Sequence, residues 1–272
     1  MDQKEDTKFK ANPYNFNNEL ISEQQIINIM RSLNITDFQL TNLDFYKTAF
    51  IHKSYCMLKD YQEYEYPGNE CVPLQETSYE TMEFLGDAIL GSVVSSYLYK
   101  RFYEIHNQNE GVLTKLKIRI ICGENLSKLS KHLSLQKYVV ISKHIEDNCE
   151  GRENNNILED IFEALIGAIY LDTKNYSMVE KFIIHVIEKF VDFTDILMID
   201  NNYKDQISRY FQRNYNDGSR PIYKHTKEDD IFYCELYHKD KLLIKGEGMS
   251  KKKSEQDVSK KALIYFNVIT NK

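Results

Sequence analysis

No apolar run in the 272-residue sequence approaches the roughly 18 residues that a membrane-spanning helix requires, which excludes a helical membrane protein. The opening stretch, MDQKEDTKFKANPYNFNN, is polar throughout and lacks the hydrophobic segment of a secretory signal. Cysteine is scarce: the five residues Cys56, Cys71, Cys122, Cys149 and Cys234 are scattered, odd in number and without C-x-x-C spacing. That pattern excludes a disulfide frame and a cysteine-based zinc site, and it suits free thiols in a reducing compartment. The seven histidines are equally dispersed, so no zinc is expected, and no internal repeat is present. The expected location is intracellular, cytoplasmic or nuclear, without a membrane partner.

What is present is a globular composition, 42% hydrophobic and 28% charged, in a chain long enough for two domains. A net charge of −6 argues at first against a nucleic-acid partner. The charge is unevenly placed, however. Residues 200–272 carry 15 Lys and Arg against 11 Asp and Glu, a net of +4, which leaves −10 for the remainder. An acidic body and a basic binding module are expected.

Periodicity divides the chain in the same way. After a polar, Asn-rich arm over residues 1–18, apolar residues recur at three- and four-residue spacing through SEQQIINIMRSL, NLDFYKTAFIHKSY, YETMEFLGDAILGSVVSSYLYKRFY, GVLTKLKIRIICGENLSKLSKHL, NILEDIFEALIGAIYLD and SMVEKFIIHVIEKFVDFTDIL. These predict helices. Residues 57–77, with two prolines and a glycine, read as a long loop. Past residue 198 the grammar changes to a helix (NNYKDQISRYFQRNY), a hairpin and a final helix. Phe232, Cys234, Leu236, Leu242 and Ile244 alternate on the hairpin's buried face, and Ser250 is placed to cap the final helix. The expected fold is a mostly α domain over 19–198 followed by a small α-β-β-β-α domain over 199–272.

Two helices carry acids where core residues would be expected. In ETMEFLGDAIL, Glu80, Glu83 and Asp87 lie within roughly 60° of one another on a helix. In ILEDIFEALIGAIYLD, Asp160 and Glu163 form a second such pair, with Gly167 near the same face, open to a close backbone approach. Acid pairs at this spacing usually mark a solvated face. The alternative is an oxygen-rich, sulfur-free site for Mg²⁺ or Mn²⁺, where two ions about 3.5–4 Å apart would act on a phosphodiester. Spacing alone leaves both readings open.

The motifs add a resemblance. ETMEFLGDAIL resembles the ribonuclease III signature E-R-L-E-F-L-G-D-A-V-L; AFIHKSY resembles the family's upstream A-L/F-T-H-x-S-Y. EGVLTKLK resembles E-G-x-L-T-x-x-R, and ILEDIFEALIGAIYLD resembles I-L-A-D-x-F-E-A-L-I-G-A-I-Y-L-D. GEGMSKKKSEQDVSKKAL is similar to the G-x-G-x-S-K-K-x-A-E-Q-x-A-A-x-x-A-L of double-stranded-RNA-binding domains. The resemblance implies a ribonuclease III endonuclease fold plus an RNA-binding domain. It implies a Mg²⁺-dependent homodimeric endoribonuclease that cuts double-stranded RNA with two-nucleotide 3′ overhangs, in RNA processing or degradation.

Carried onto this sequence, the resemblance makes Glu83, Asp87, Asp160 and Glu163 the metal-binding catalytic acids, with two Mg²⁺ per site and Mn²⁺ as a substitute. Glu80 and Glu110 become auxiliary acids, and Phe84 a dimer-interface residue. Lys251, Lys252 and Lys253 become a phosphate clamp, and Arg209 and Gln212 minor-groove contacts. His52 reads as structural. Tyr79 stands where Asn is usual, Thr81 and Met82 where Arg-Leu is usual, and Lys117 where Arg is common; none removes an acid. Glu228, Asp229 and Asp230 occupy the loop that otherwise reads G-P-x-H, which implies a weaker or reoriented grip on RNA. The rival readings are a non-catalytic double-stranded-RNA binder and a ribosome-associated structural protein on the same fold.

Overall fold

The computed structural model describes residues 11–193, 202–215 and 217–269, which fall into two compact units, Met1–Phe193 and Thr194–Lys272. The expected division at 198/199 and the first ten residues of the expected arm lie outside the described residues, whereas the helix predicted through residue 197 ends at Phe190, where Val191 turns extended (φ −101°, ψ 117°).

The helices of the first unit are α1 (Glu23–Ser32), α2 (Leu43–Ala49), α3 (Glu80–Leu98), α4 (Glu110–Ile120), α5 (Gly123–His132), α6 (Lys143–Asn148), α7 (Asn155–Thr173) and α8 (Tyr176–Phe190). The two longest, α3 and α7, are the acid-bearing helices, and they pack against each other at the centre of the unit. Their apolar residues (Met82, Ile89, Leu90, Val93 and Val94 from α3; Ile161, Phe162, Leu165, Ile166 and Ile169 from α7) make the core between them. Asp172 ties the end of α7 to the start of α2. Its carboxylate accepts from Thr41 N at 3.1 Å, Asn42 N at 2.7 Å and Tyr46 Oη at 2.9 Å.

Three further helical expectations are corrected. The stretch through AFIHKSY is α-helical only to Ala49, with a single 3₁₀ turn at Lys53–Tyr55, because the backbone turns to pair with a distant segment. Val140 N donates to Phe50 O at 2.8 Å and His52 N to Val140 O at 3.0 Å, a pairing that competes with helix continuation. The stretch GVLTKLKIRIICGENLSKLSKHL is two helices, since Cys122 is extended (φ −72°, ψ 147°) and becomes the N-cap of α5. The end of YETMEFLGDAILGSVVSSYLYKRFY loosens into a π-type turn over Tyr99–Glu104. Residues 57–77 are irregular apart from one short turn at Lys59–Tyr61, as the prolines require. Residues 11–18 are docked: Asn15 Nδ2 and Asn18 Nδ2 donate to Ile141 O at 3.1 and 2.9 Å.

The second unit is α9 (Tyr203–Asn214), the antiparallel sheet β1 (Pro221–Glu228), β2 (Ile231–His238), β3 (Lys241–Gly248) in that order, and α10 (Lys251–Tyr265). Ile207 and Phe211 of α9 meet Cys234 and Leu236 of β2 and Val258, Ala262 and Leu263 of α10 in one small core. Ser250 caps α10, its side chain accepting from Lys253 N at 3.2 Å. Leu242 is 38% exposed rather than buried. A register shift beside Leu236 and Tyr237 leaves Leu243 unpaired, and Leu243 packs against the core instead. No helix among the described residues is long and apolar enough to cross a membrane.

Candidate active site

Two glycines decide how closely the acid stripes approach. A Cβ on Gly86 of α3 would lie 1.8 Å from the carbonyl oxygen of Glu163, and one on Gly167 of α7 would lie 2.3 Å from that of Met82. Any side chain at either position would drive the helices apart, so the crossing is backbone against backbone. The spacing along each helix then brings Glu83 and Asp87 into electrostatic contact with Asp160 and Glu163. The openness of Gly167 was legible in the sequence; the matching role of Gly86 was not singled out.

The cluster is under electrostatic stress. Glu163, only 8% exposed, has no hydrogen-bond or ion-pair partner among the described residues. Burial, followed by Asp87, Glu159, Glu83 and Asp160, pushes its carboxyl up to about 8. Burial is also the first cause of the upward shifts of Glu83, Glu159 and Asp160. Glu159 stands outside the acid pairs expected from the sequence, yet it interacts with Asp160, Asp87 and Glu163. Its carboxylate lies over Gly123, at the first turn of α5, where the helix dipole favours an anion.

The rim is better satisfied. Lys53 Nζ donates to Glu80 Oε1 at 3.0 Å, and this bond holds Glu80 below the usual carboxylate range. Lys53 also acts on Asp160 and Glu83, which makes it a cation beside the cluster that sequence spacing did not indicate. Glu80 is therefore part of an ion pair one turn from Glu83. Glu110 starts α4, is exposed, and accepts from Thr114 Oγ1 at 2.8 Å; it does not join the electrostatic cluster. His52 is half-buried, and its desolvation pushes the imidazole down to about 4; its Nδ1 accepts from Ser54 N at 3.2 Å. Phe84 is 80% exposed beside the acids.

The donor set fits a hard divalent cation. Carboxylates alone, desolvated and repelling, offer oxygen without sulfur or imidazole. Among the described residues no group of three or more His, Cys, Asp or Glu side chains is already arranged to hold a metal ion. The fit rests on the chemistry of the donors and on the unpartnered Glu163.

In the second unit Lys251, Lys252 and Lys253 stand exposed on the first turn of α10, where charge and helix dipole add. Gln212 is exposed on α9, whereas Arg209 is ion-paired with Asp205 at 3.0 Å. Glu228, Asp229 and Asp230 are exposed at the β1–β2 turn, with Asp229 left-handed at φ 51°.

Comparison with known proteins decides the family. Residues 42–189 match the Ribonuclease-III-like family, and residues 203–265 match the double-stranded RNA binding motif. Ribonuclease 3 of Zunongwangia profunda is 36% identical over 228 residues, 83% of this chain and 85% of that one. The chain belongs to the ribonuclease III family. A ribonuclease 3 of Borreliella burgdorferi is 30% identical over 253 residues, covering 89% and 91% of the two chains. A probable ribonuclease 3 of Acanthamoeba polyphaga mimivirus is 34% identical over 95% of this chain, which spans 48% of that longer protein. Among solved structures, the nuclease domain of ribonuclease III from Campylobacter jejuni aligns with a TM-score of 0.47 at 28% identity, covering 61% of this chain and 98% of that one. A ribonuclease III domain joined to a double-stranded-RNA-binding motif makes this protein a double-stranded-RNA endoribonuclease, and the family is metal-dependent.

Proposed function

We propose that Glu83, Asp87, Asp160 and Glu163 bind two Mg²⁺ ions, for which Mn²⁺ can substitute, and that this site hydrolyses both strands of an RNA duplex in a homodimer. The observation that carries the assignment is Glu163: a buried, unpartnered carboxylate pushed up to about 8 by desolvation first and then by four neighbouring acids. Bound divalent ions would supply the activation of water and the stabilisation of the leaving oxygen. The protein's own residues do the rest. Gly86 and Gly167 hold the acid stripes together, and Lys53 keeps Glu80 ionised at the rim. Glu80 and Glu110 act as auxiliary acids toward RNA, and Glu159 adds negative charge to the cation site.

The exposed ring of Phe84 beside the acids suits burial against a second protomer, which would set two sites on opposite strands and leave two-nucleotide 3′ overhangs. Lys251, Lys252 and Lys253 supply salt-dependent affinity for the phosphates of an A-form duplex, with Gln212 and Arg209 at the minor groove. All five cysteines are free, which suits an intracellular location.

The test is Glu163→Gln in the full chain, assayed by duplex cleavage and by gel shift. Cleavage should be lost with duplex binding retained. Equal cleavage by wild type and variant would remove the assignment and favour a site elsewhere.

A further inference from the structure

Tyr79 occupies the residue before the first acid of α3, where the family motif usually has Asn, and it is 2% exposed. Its phenol donates to Asp160 Oδ2 at 2.8 Å, across 81 residues of sequence. Asp160 makes no other hydrogen bond among the described residues, so its second oxygen is unpartnered. The tyrosine is itself fixed from two sides. Its backbone N donates to Ile51 O at 2.9 Å, and its ring packs against His52 with centroids 5.8 Å apart. His52 is in turn held by its own N–H to Val140 O at 3.0 Å and by its Nδ1, which accepts from Ser54 N and lies 2.8 Å from Ser54 Oγ. The segment carrying AFIHKSY therefore reaches the acid cluster through a rigid relay that ends on one carboxylate oxygen.

We infer that Tyr79 is a positioning residue of the metal site: by holding Oδ2 it sets the plane of the Asp160 carboxylate and presents the other oxygen to a divalent ion. This rests on the proposed role of Asp160 as a metal ligand. The physical logic is that of an outer-shell partner. A ligating carboxylate free to rotate must be ordered when the ion binds, whereas one already hydrogen-bonded is not, and loss of such a partner typically costs about 10- to 100-fold in metal affinity or activity. A phenol keeps its proton at neutral pH and so can donate to an ionised carboxylate.

The experiment is thermal melting of the full-length protein without RNA, across a Mg²⁺ titration at neutral pH, for wild type, Tyr79→Phe and Asp160→Asn. Wild type should be stabilised by Mg²⁺, and Asp160→Asn should lose most of that response. Tyr79→Phe should respond with its Mg²⁺ midpoint raised ten- to a hundredfold. A Tyr79→Phe midpoint equal to that of wild type, even with a lower melting temperature in chelator, overturns the inference while leaving the metal role of Asp160 intact. A wild type indifferent to Mg²⁺, or an Asp160→Asn variant that responds as wild type does, overturns both. Should Tyr79→Phe not fold, 3-fluorotyrosine placed at position 79 of the otherwise unaltered protein reads the same contact. Its ¹⁹F resonance should shift as Mg²⁺ fills the site, and a resonance that does not move contradicts the inference.

Discussion

Glu163→Gln should stabilise the metal-free protein at alkaline pH while removing its activity. Glutamine has the shape of the protonated acid but no charge to bury. Because the folded-state carboxyl of Glu163 is pushed up to about 8 from an ordinary 4.5, the folded protein holds a proton that the unfolded chain has lost throughout that interval. Stability from this group is therefore complete below about pH 4.5, falls as pH rises, and is lost above about pH 8. At about 1.4 kcal/mol per tenfold change in proton affinity, the ceiling is on the order of 5 kcal/mol. Water reaching the more open Glu83 and Asp87 screens part of the repulsion, which brings the expected difference to about 2 kcal/mol. For a unit of this size that is a melting-temperature rise of roughly 4–8 °C. Melting in chelator at pH 5 and pH 9 measures it. Wild type and variant should coincide at pH 5 and separate at pH 9, the variant being the more stable; equal curves at pH 9, or a less stable variant, would refute the electrostatic reading of the cluster.

Gly86→Ala should cost at least about 3 kcal/mol and abolish cleavage, since its Cβ would sit 1.8 Å from a backbone oxygen that has no alternative position; urea unfolding would show it. Phe84→Asp should shift the protein from dimer to monomer in light scattering and make its melting temperature independent of protein concentration, while the fold of each chain is kept because the ring is 80% exposed within one chain. Replacing Lys251, Lys252 and Lys253 together by Ala should weaken duplex binding and reduce its salt dependence by about one unit of slope for each phosphate that the lysines neutralise, with cleavage at saturating RNA retained. Unchanged salt dependence would place the RNA grip elsewhere on the unit.

Much of the site was legible because its signal is local. Glu83 with Asp87, and Asp160 with Glu163, share helix faces, and Gly167 marked the face that another backbone approaches. What stayed hidden depends on partners far along the chain. Lys53 meets Glu80 from 27 residues away, and Tyr79 meets Asp160 from 81, so helical periodicity carries no trace of either bond. Glu159 shares the helix face of Glu163, four residues on, so its place beside the cluster was within reach of the same periodicity; only its position over Gly123 of α5 depends on tertiary packing. In the fold, α4 and α5 read as one helix because Ile120, Ile121 and Cys122 continue the apolar run through the break. Leu242 lies on the outer face because the bulge at Leu243, which strict alternation does not foresee, breaks the period between Leu242 and Ile244, while Ile244 stays on the core side.

The central claim is that desolvated carboxylates on α3 and α7 hold divalent ions that cut duplex RNA. Incubation of the purified full chain with an end-labelled RNA duplex, with and without Mg²⁺ and beside its single strands, tests this most directly. The account predicts cleavage of the duplex alone, dependent on the divalent ion, with two-nucleotide 3′ overhangs at the new ends. Cleavage of the duplex that persists undiminished in chelator, or a duplex left intact at every Mg²⁺ and Mn²⁺ concentration, would contradict it.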